Sequence, residues 1–259
     1  VLYVVQRMAQ LSAFFSVFAI LVYCYARNSL ENKATINFLF LFLFFPIIMF
    51  LGLFSKENAA TAILIVILCE FLVFMYRFGT KSAQKITLGF LSFFVMLPIF
   101  AGIVYFALNP ERFVNYDGRN FTLIERLYTQ IHVIPYYLRL IMVPDISEMS
   151  LYHDDFPIQR LFDVETGLLL VFIILLFVAA FFCRKKHPVI TFGILWFFCC
   201  HVIESTILPL EVIFEHRNYL AVLGITIIIA YVLFMLKKRI SIILSGSIKA
   251  NRKVLKAGH

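Results

Sequence analysis

Residues 166–183 read TGLLLVFIILLFVAAFFC, eighteen consecutive positions without a charge. A helix rises about 1.5 Å per residue, so this run covers most of the roughly 30 Å hydrocarbon core of a bilayer. Apolar runs of the same kind recur at 8–26, 36–54, 59–77, 86–108, 189–206 and 219–236, which predicts seven crossings in all. Composition agrees: of 259 residues, 62% are hydrophobic, 17% aromatic and only 15% charged. An ordinary soluble domain does not look like this. A transmembrane β-barrel would alternate with a period of two over about ten residues, and these runs do not alternate. The expected fold class is all-α: a polytopic helical membrane protein.

One further apolar segment, 122–143, carries Glu125, Arg126, His132, Pro135 and Arg139. Those residues make it a poor span, and the expectation is an interfacial helix pair broken at Pro135. Charge placement supports that count. Arg27 and Lys33, then Arg77, Lys81 and Lys85, then Arg184, Lys185 and Lys186, then the basic residues from Lys237 to Lys256 all fall on one side of a seven-span model. Glu31 is the one acid among them. Short cytoplasmic loops collect Lys and Arg, so this side is expected to be cytoplasmic. Were 122–143 to cross, the Arg184 to Lys186 cluster would change sides, against that rule. The net charge of +8 is therefore an orientation signal and a contact with membrane lipid rather than a nucleic-acid surface.

The chain is expected to form one membrane domain over 1–240, with an outer loop at 109–165, followed by a basic tail at 241–259. The five cysteines, Cys24, Cys69, Cys183, Cys199 and Cys200, all lie in apolar runs and read as small buried hydrophobes. The chain opens at Val1 inside an apolar pattern, so more sequence is expected upstream.

The chemically interesting residues share the outer face. Ser55-Lys56-Glu57-Asn58 is a loop so short that Lys56 and Glu57 must lie at the membrane boundary, where an ammonium can hold a phosphate and a carboxylate can orient it or a sugar hydroxyl. A snorkelling lysine paired with its neighbour is the plainer alternative. His153, Asp154 and Asp155 put an imidazole beside two carboxylates, a set suited to a divalent cation or to acid/base work, or to nothing more than a solvated loop. The densest cluster is Glu204, Glu211, Glu215, His216, Arg217 and Asn218, between two very apolar spans where charges are costly. Arg217 offers a planar fork of donors for a phosphate at the start of the last span, where the helix dipole adds attraction. Glu211 or Glu215 could fix that fork or bond sugar hydroxyls, and His216 could carry a proton or only donate a hydrogen bond. Arg7 lies close enough to the first span to face the same cavity. Glu70, deep in the third span, reads as a buried structural partner. Soluble-enzyme signatures are absent, with no glycine-rich phosphate loop, nucleophile elbow or paired-cysteine metal spacing.

The strings YVVQRM (3–8), GLFSKENAA (52–60), LYHDDF (151–156), HVIESTILPLE (201–211) and FEHRNYL (214–220) resemble membrane glycosyltransferases of the GT-C class. They are similar in particular to bacterial relatives of the transmembrane, tetratricopeptide-repeat-associated O-mannosyltransferases. The resemblance implies transfer of a sugar from a polyprenyl-phosphate donor to an acceptor, a protein hydroxyl or a glycan, on the periplasmic face of the bacterial inner membrane. It implies that Lys56, Glu57 and Arg217 contact the lipid phosphate, while Glu204, Glu215 and His216 shape the donor or acceptor site. The resemblance places the catalytic base, an acidic residue, in the first outer loop, which is expected upstream of Val1, so Asp154 and Asp155 are not expected to replace it. A lipid-monophosphate donor needs less charge neutralisation than a nucleotide donor, so no cofactor is required by the resemblance and a divalent cation stays compatible with it. Competing readings are an O-antigen-ligase-type oligosaccharide transferase using a diphosphate lipid, a transporter and a non-catalytic scaffold. The near absence of charge inside the spans argues against transport.

Overall fold

The computed structural model describes residues 7–145 and 156–257. Helices account for its regular structure: α1 (Arg7–Ser29), α2 (Ala34–Ser55), α3 (Glu57–Phe74), α4 (Lys81–Leu108), the short α5 (Pro110–Val114), α6 (Leu123–Met142), α7 (Val164–Cys183), α8 (Pro188–His201) and α9 (Asn218–Ala257). Six helical segments, α1 to α4, α7 and Glu215–Ile242, are long and apolar enough to cross a membrane. The protein is a multi-pass helical membrane protein.

The expected seventh crossing differs in an informative way. The run at 189–206 becomes α8, which stops at His201. Its fourteen residues rise only about 21 Å, short of the hydrocarbon thickness. The chain then continues without regular structure to the single turn Glu215–Arg217. A second correction concerns Pro135. It lies inside one continuous helix, α6, rather than between two. Proline removes one helical hydrogen bond and crowds the carbonyl four residues back. Here side chains on both sides of it, Gln130 and Tyr137, are tied to the same stretch of chain. The last crossing also runs on, and residues 241–257 continue α9 as helix.

Two prolines leave a clearer mark. Pro46 and Pro98 each follow a π-helical turn, Phe40–Phe44 in α2 and Ser92–Met96 in α4. In both, the widened turn contains the residue four before the proline, Phe42 or Phe94, whose carbonyl the ring would otherwise strike. A third π turn, Glu70–Phe74, ends α3.

Packing forms two groups. Helices α1, α2 and α3 pack together, as do α7, α8 and α9, and the groups meet where α8 lies on α3 and α9 on α1. Buried residues of α1 recur at helical spacing, Ser12, Ser16, Ala19, Tyr23 and Ala26. Their small members let α2 approach closely at Gly52. The α8–α9 contact depends on Gly193 and Gly224, where a Cβ on either would stand 2.5 or 2.6 Å from the other's carbonyl oxygen. Trp196 locks this crossing by donating from Nε1 to the Leu220 carbonyl at 2.8 Å.

The core of the first group is aromatic and, unusually, ionic. Tyr23 stacks on Phe90 at 5.2 Å, and Phe45 meets Phe90 edge-on at 4.9 Å. Tyr23 also donates its hydroxyl to Glu70 Oε1 at 2.6 Å, and Arg27 Nε reaches the same oxygen at 2.8 Å. Arg27 is therefore buried in the last turn of α1 rather than free in the following loop, with its guanidinium over the rings of Phe74 and Phe78. Glu70 has the structural role expected of it. Removing one partner of such a pair strands a buried charge. Glu70→Ala should lower stability by about 3–5 kcal/mol, read from the unfolding midpoint of the purified protein in detergent, and Glu70→Gln by less. An unchanged midpoint in Glu70→Ala would show that the pair contributes nothing.

Candidate functional site

Between α8 and α9 the chain forms an irregular strap, residues 202–214, on the polar side of the molecule. Its peptide groups need partners, because non-helical backbone at membrane depth survives only when protein satisfies it. Most of that service comes from one face of α6. Arg126, fully buried, donates from Nε to the Thr206 carbonyl at 3.0 Å and from Nη2 to the Glu204 carbonyl at 2.7 Å. Its Nη1 reaches the carbonyls of Leu210 and Glu211. Four residues on, Gln130 Nε2 donates to the Val212 carbonyl at 2.8 Å. Two turns further, the Tyr137 hydroxyl donates to the Phe214 carbonyl at 3.0 Å and accepts from the Phe214 N–H at 2.8 Å. Tyr116 adds a bond to the Ile207 carbonyl at 2.8 Å. The register of α6 is set by a capping box at its start, in which Thr122 and Glu125 satisfy each other's backbone N–H. The same backbone bond holds the Glu125 carboxyl below the usual carboxylate range.

The strap delivers Glu204 to a buried position, 3% exposed. There it meets residues from the other half of the molecule. Lys56 Nζ lies 3.2 Å from Glu204 Oε1, and the Asn58 amide donates to the same oxygen. Arg217 Nε lies 2.6 Å from Oε2. Arg217 is itself buried and gives Nη1 to the Val212 carbonyl at 3.0 Å and Nη2 to the Glu211 carbonyl at 2.7 Å. Backbone geometry explains which of the 55–58 residues arrive. Lys56 is extended, φ −165° and ψ 144°, between two helices, so it and Glu57 leave the chain on opposite sides. Lys56 turns inward with Asn58 from the first turn of α3, and Glu57 stays exposed. Ser12 of α1 ties the arrangement down by donating to the Lys56 carbonyl at 3.3 Å.

Charge does not balance here. Lys56 and Arg217 face one carboxylate, and Arg126 lies near enough for Arg217 to add to the effect of burial, which together push the Arg126 guanidinium down to about 10. It stays protonated at neutral pH. Beside the cluster is a cavity of about 20 Å³ walled by Lys56, Asn58, Thr61, His216, Arg217 and Ser12. That is room for about one water molecule. On the strap's other side lies a much larger cavity of about 540 Å³, lined by Arg119, Phe121, Phe156 and strap residues Glu211 to Phe214. This is the size of many ligand pockets.

Of the residues singled out in the sequence, the structure brings together Lys56, Glu204 and Arg217, with His216 at the small cavity's wall and Asn218 buried behind it. His216 stacks on Phe214 at 4.9 Å. Glu211 turns outward to pair with Arg119, and Glu215 is half-buried in the turn before α9. Arg7 is exposed at the start of α1, away from the cluster's contacts. His153, Asp154 and Asp155 lie outside the described residues. Among the described residues no three His, Cys, Asp or Glu side chains gather as a metal would need. Sequence reasoning missed Asn58, Arg126, Gln130, Tyr137 and His201, the last stacked on Tyr137 at 5.2 Å and buried next to Asn218. The signal for three of them was present in the spacing of Arg126, Gln130 and Tyr137, which share a helix face.

No family model matches the chain, and neither does any curated protein or solved structure.

Because Arg126 serves four carbonyls, Arg126→Ala should speed amide hydrogen exchange across residues 204–214 by about tenfold to a hundredfold, the equivalent of leaving one or two buried acceptors unsatisfied. Arg126→Lys should fall between, since an ammonium cannot reproduce the planar fork. Exchange that is the same in all three proteins would mean the strap is held by other bonds.

Proposed function

We propose that this protein is a glycosyltransferase of the GT-C class, using a polyprenyl-monophosphate sugar as donor at the polar side of the membrane, which is the periplasmic side of a bacterial inner membrane. The observation that carries the reading is the convergence of Lys56 and Arg217 on Glu204 beneath the α2–α3 turn. Two cations held by one carboxylate leave positive charge at headgroup depth, where a lipid phosphate lies. Lys56 has three N–H donors and gives one to Glu204, so two remain for phosphate oxygens. The family resemblance of the strings around these residues adds the sugar and the acceptor class.

In the proposed reaction an acceptor hydroxyl attacks the anomeric carbon, its proton passes to the carboxylate base that the family resemblance implies, the bond from the anomeric carbon to the phosphate oxygen breaks, and the electron pair leaves with the lipid phosphate. Its charge grows from one to two as it departs. Lys56 and Arg217 stabilise that increase, an interaction stronger in the transition state than in the ground state. Glu204 is not cast as the base, because its oxygens already hold Lys56, Asn58 and Arg217. Its task is to aim the two cations. The larger cavity across the strap gives an acceptor access to the same backbone from the other side. The small cavity holds about one water, so donor binding requires the α1 side of the cluster or the strap to move outward.

Membranes carrying the protein should transfer labelled sugar from a polyprenyl-monophosphate donor to protein. Arg217→Ala and Lys56→Ala should each lower that transfer by about tenfold or more, as expected for loss of a charged transition-state contact. Glu57→Ala should change it by less than threefold, about 0.6 kcal/mol, because Glu57 is exposed and outside the cluster. Full activity in both cation variants would remove this site from the reaction, and transfer only from diphosphate-linked glycans would replace the reading with a ligase.

A further inference from the structure

A separate feature lies at the opposite end of the molecule, where the basic residues gather. A cavity of about 430 Å³ opens between α3, α7 and α8, lined by Phe71, Phe177, Phe181, Thr191 and Leu195, with Arg184 at its end. Its walls are hydrocarbon, and its three phenylalanines are largely exposed. They belong to segments long and apolar enough to span a membrane, so acyl chains are their solvent.

Arg184 sets the chemistry. Its guanidinium stands 3.5 Å over the Phe181 ring, and Nη1 donates to the Phe181 carbonyl at 3.4 Å, so the group is held at the groove instead of extending into water. Among the described residues it forms no ion pair. Glu70, next in sequence to the lining residue Phe71 and at the start of the same π turn, is already engaged by Arg27 and Tyr23. Lys185 and Lys186 follow directly and are exposed. An unneutralised, oriented guanidinium at the mouth of an apolar slot matches a phosphodiester with an acyl chain attached, whereas the two ammonium groups, exposed and outside the groove's lining, add only general attraction for anionic lipid. A zwitterionic headgroup would bring its own cation into the same place.

We propose that this groove is a binding site for one anionic phospholipid, with its phosphate on Arg184 and an acyl chain between Phe177, Phe181 and Leu195. The site stands apart from the proposed transferase cluster and does not depend on it.

The test is retention of lipid by the purified protein in detergent, supplied with equal amounts of phosphatidylglycerol and phosphatidylcholine and read by native mass spectrometry. Phosphatidylglycerol should be retained in preference. Arg184→Ala should lower that retention about fivefold, the effect of one basic group at an anionic headgroup. Lys186→Ala, outside the groove, should lower it by less than twofold. Equal retention of the two lipids, or an equal loss in Lys186→Ala, would overturn the site in favour of general charge attraction. If Arg184→Ala does not remain monodisperse, the unmodified protein decides with a phosphatidylglycerol bearing a photoactivatable acyl chain. Cross-links concentrated in residues 177–195 support the site, and cross-links spread evenly over the exposed faces of α4 and α9 refute it.

Discussion

A single guanidinium lets this chain keep thirteen residues of irregular backbone between two apolar helices. Helices satisfy their own peptide groups, and an interrupted helix at membrane depth does not. Arg126 places its donors on the carbonyls of Glu204, Thr206, Leu210 and Glu211, and Gln130 and Tyr137 continue the work along the same face of α6. Burying an arginine without a carboxylate partner is costly, and carbonyl oxygens are the compensation available. The cost is accepted because a helix through 202–214 could not carry Glu204 to Lys56 and bring Arg217 back to Glu204 over so few residues.

The strap and the cation cluster stabilise each other. Arg217 donates to the Glu211 and Val212 carbonyls and lies against the Glu204 carboxylate, so the strap's free end is stitched to the start of α9. Glu204 therefore serves two purposes, counter-ion and aiming device. A buried charge pair of this kind contributes little net stability against an apolar replacement. What the arrangement does achieve is positive charge in a fixed place, the feature on which the proposed phosphate contact rests.

Much of the architecture was legible because lipid imposes hydropathy on every exposed helix face. The runs at 8–26, 36–54, 59–77, 86–108 and 166–183 became helices with ends displaced by a few residues. The run at 189–206 misled because apolar residues fill both α8 and the start of the strap, and hydropathy cannot tell a buried irregular segment from a helix. Pro135 misled for the opposite reason, since its helix is braced by tertiary bonds invisible in sequence. Arg27 looked like an orientation charge and proved to be a buried partner of Glu70 as well. At the site, Lys56, Glu204 and Arg217 stood out as charges where charge is costly. Asn58 did not, because an uncharged amide beside a charged pair carries no such signal, and only the extended backbone of Lys56 decides that Asn58 rather than Glu57 turns inward.

The way the helices pack also says where the cluster can open. Gly193 and Gly224 bring α8 and α9 into backbone contact, and Trp196 bonds across them, so that crossing has little freedom to part. The wall formed by α1 is different. It faces the small cavity with Ala9, Ser12 and Ala13, and its tie to the α2–α3 turn at that point is a single hydroxyl bond from Ser12 to the Lys56 carbonyl. Deeper along α1, Tyr23 and Arg27 are fixed to Glu70 through charge and aromatic packing. The polar end of α1 also packs against Gly52 through Ser12 and Phe15, and Gln10 donates to the Tyr219 hydroxyl at 3.3 Å. Room for a donor beside Lys56 and Arg217 therefore comes from displacing this α1 wall, because the bonds of both cations to Glu204 are made by the α2–α3 turn, the strap and the start of α9, none of which α1 carries.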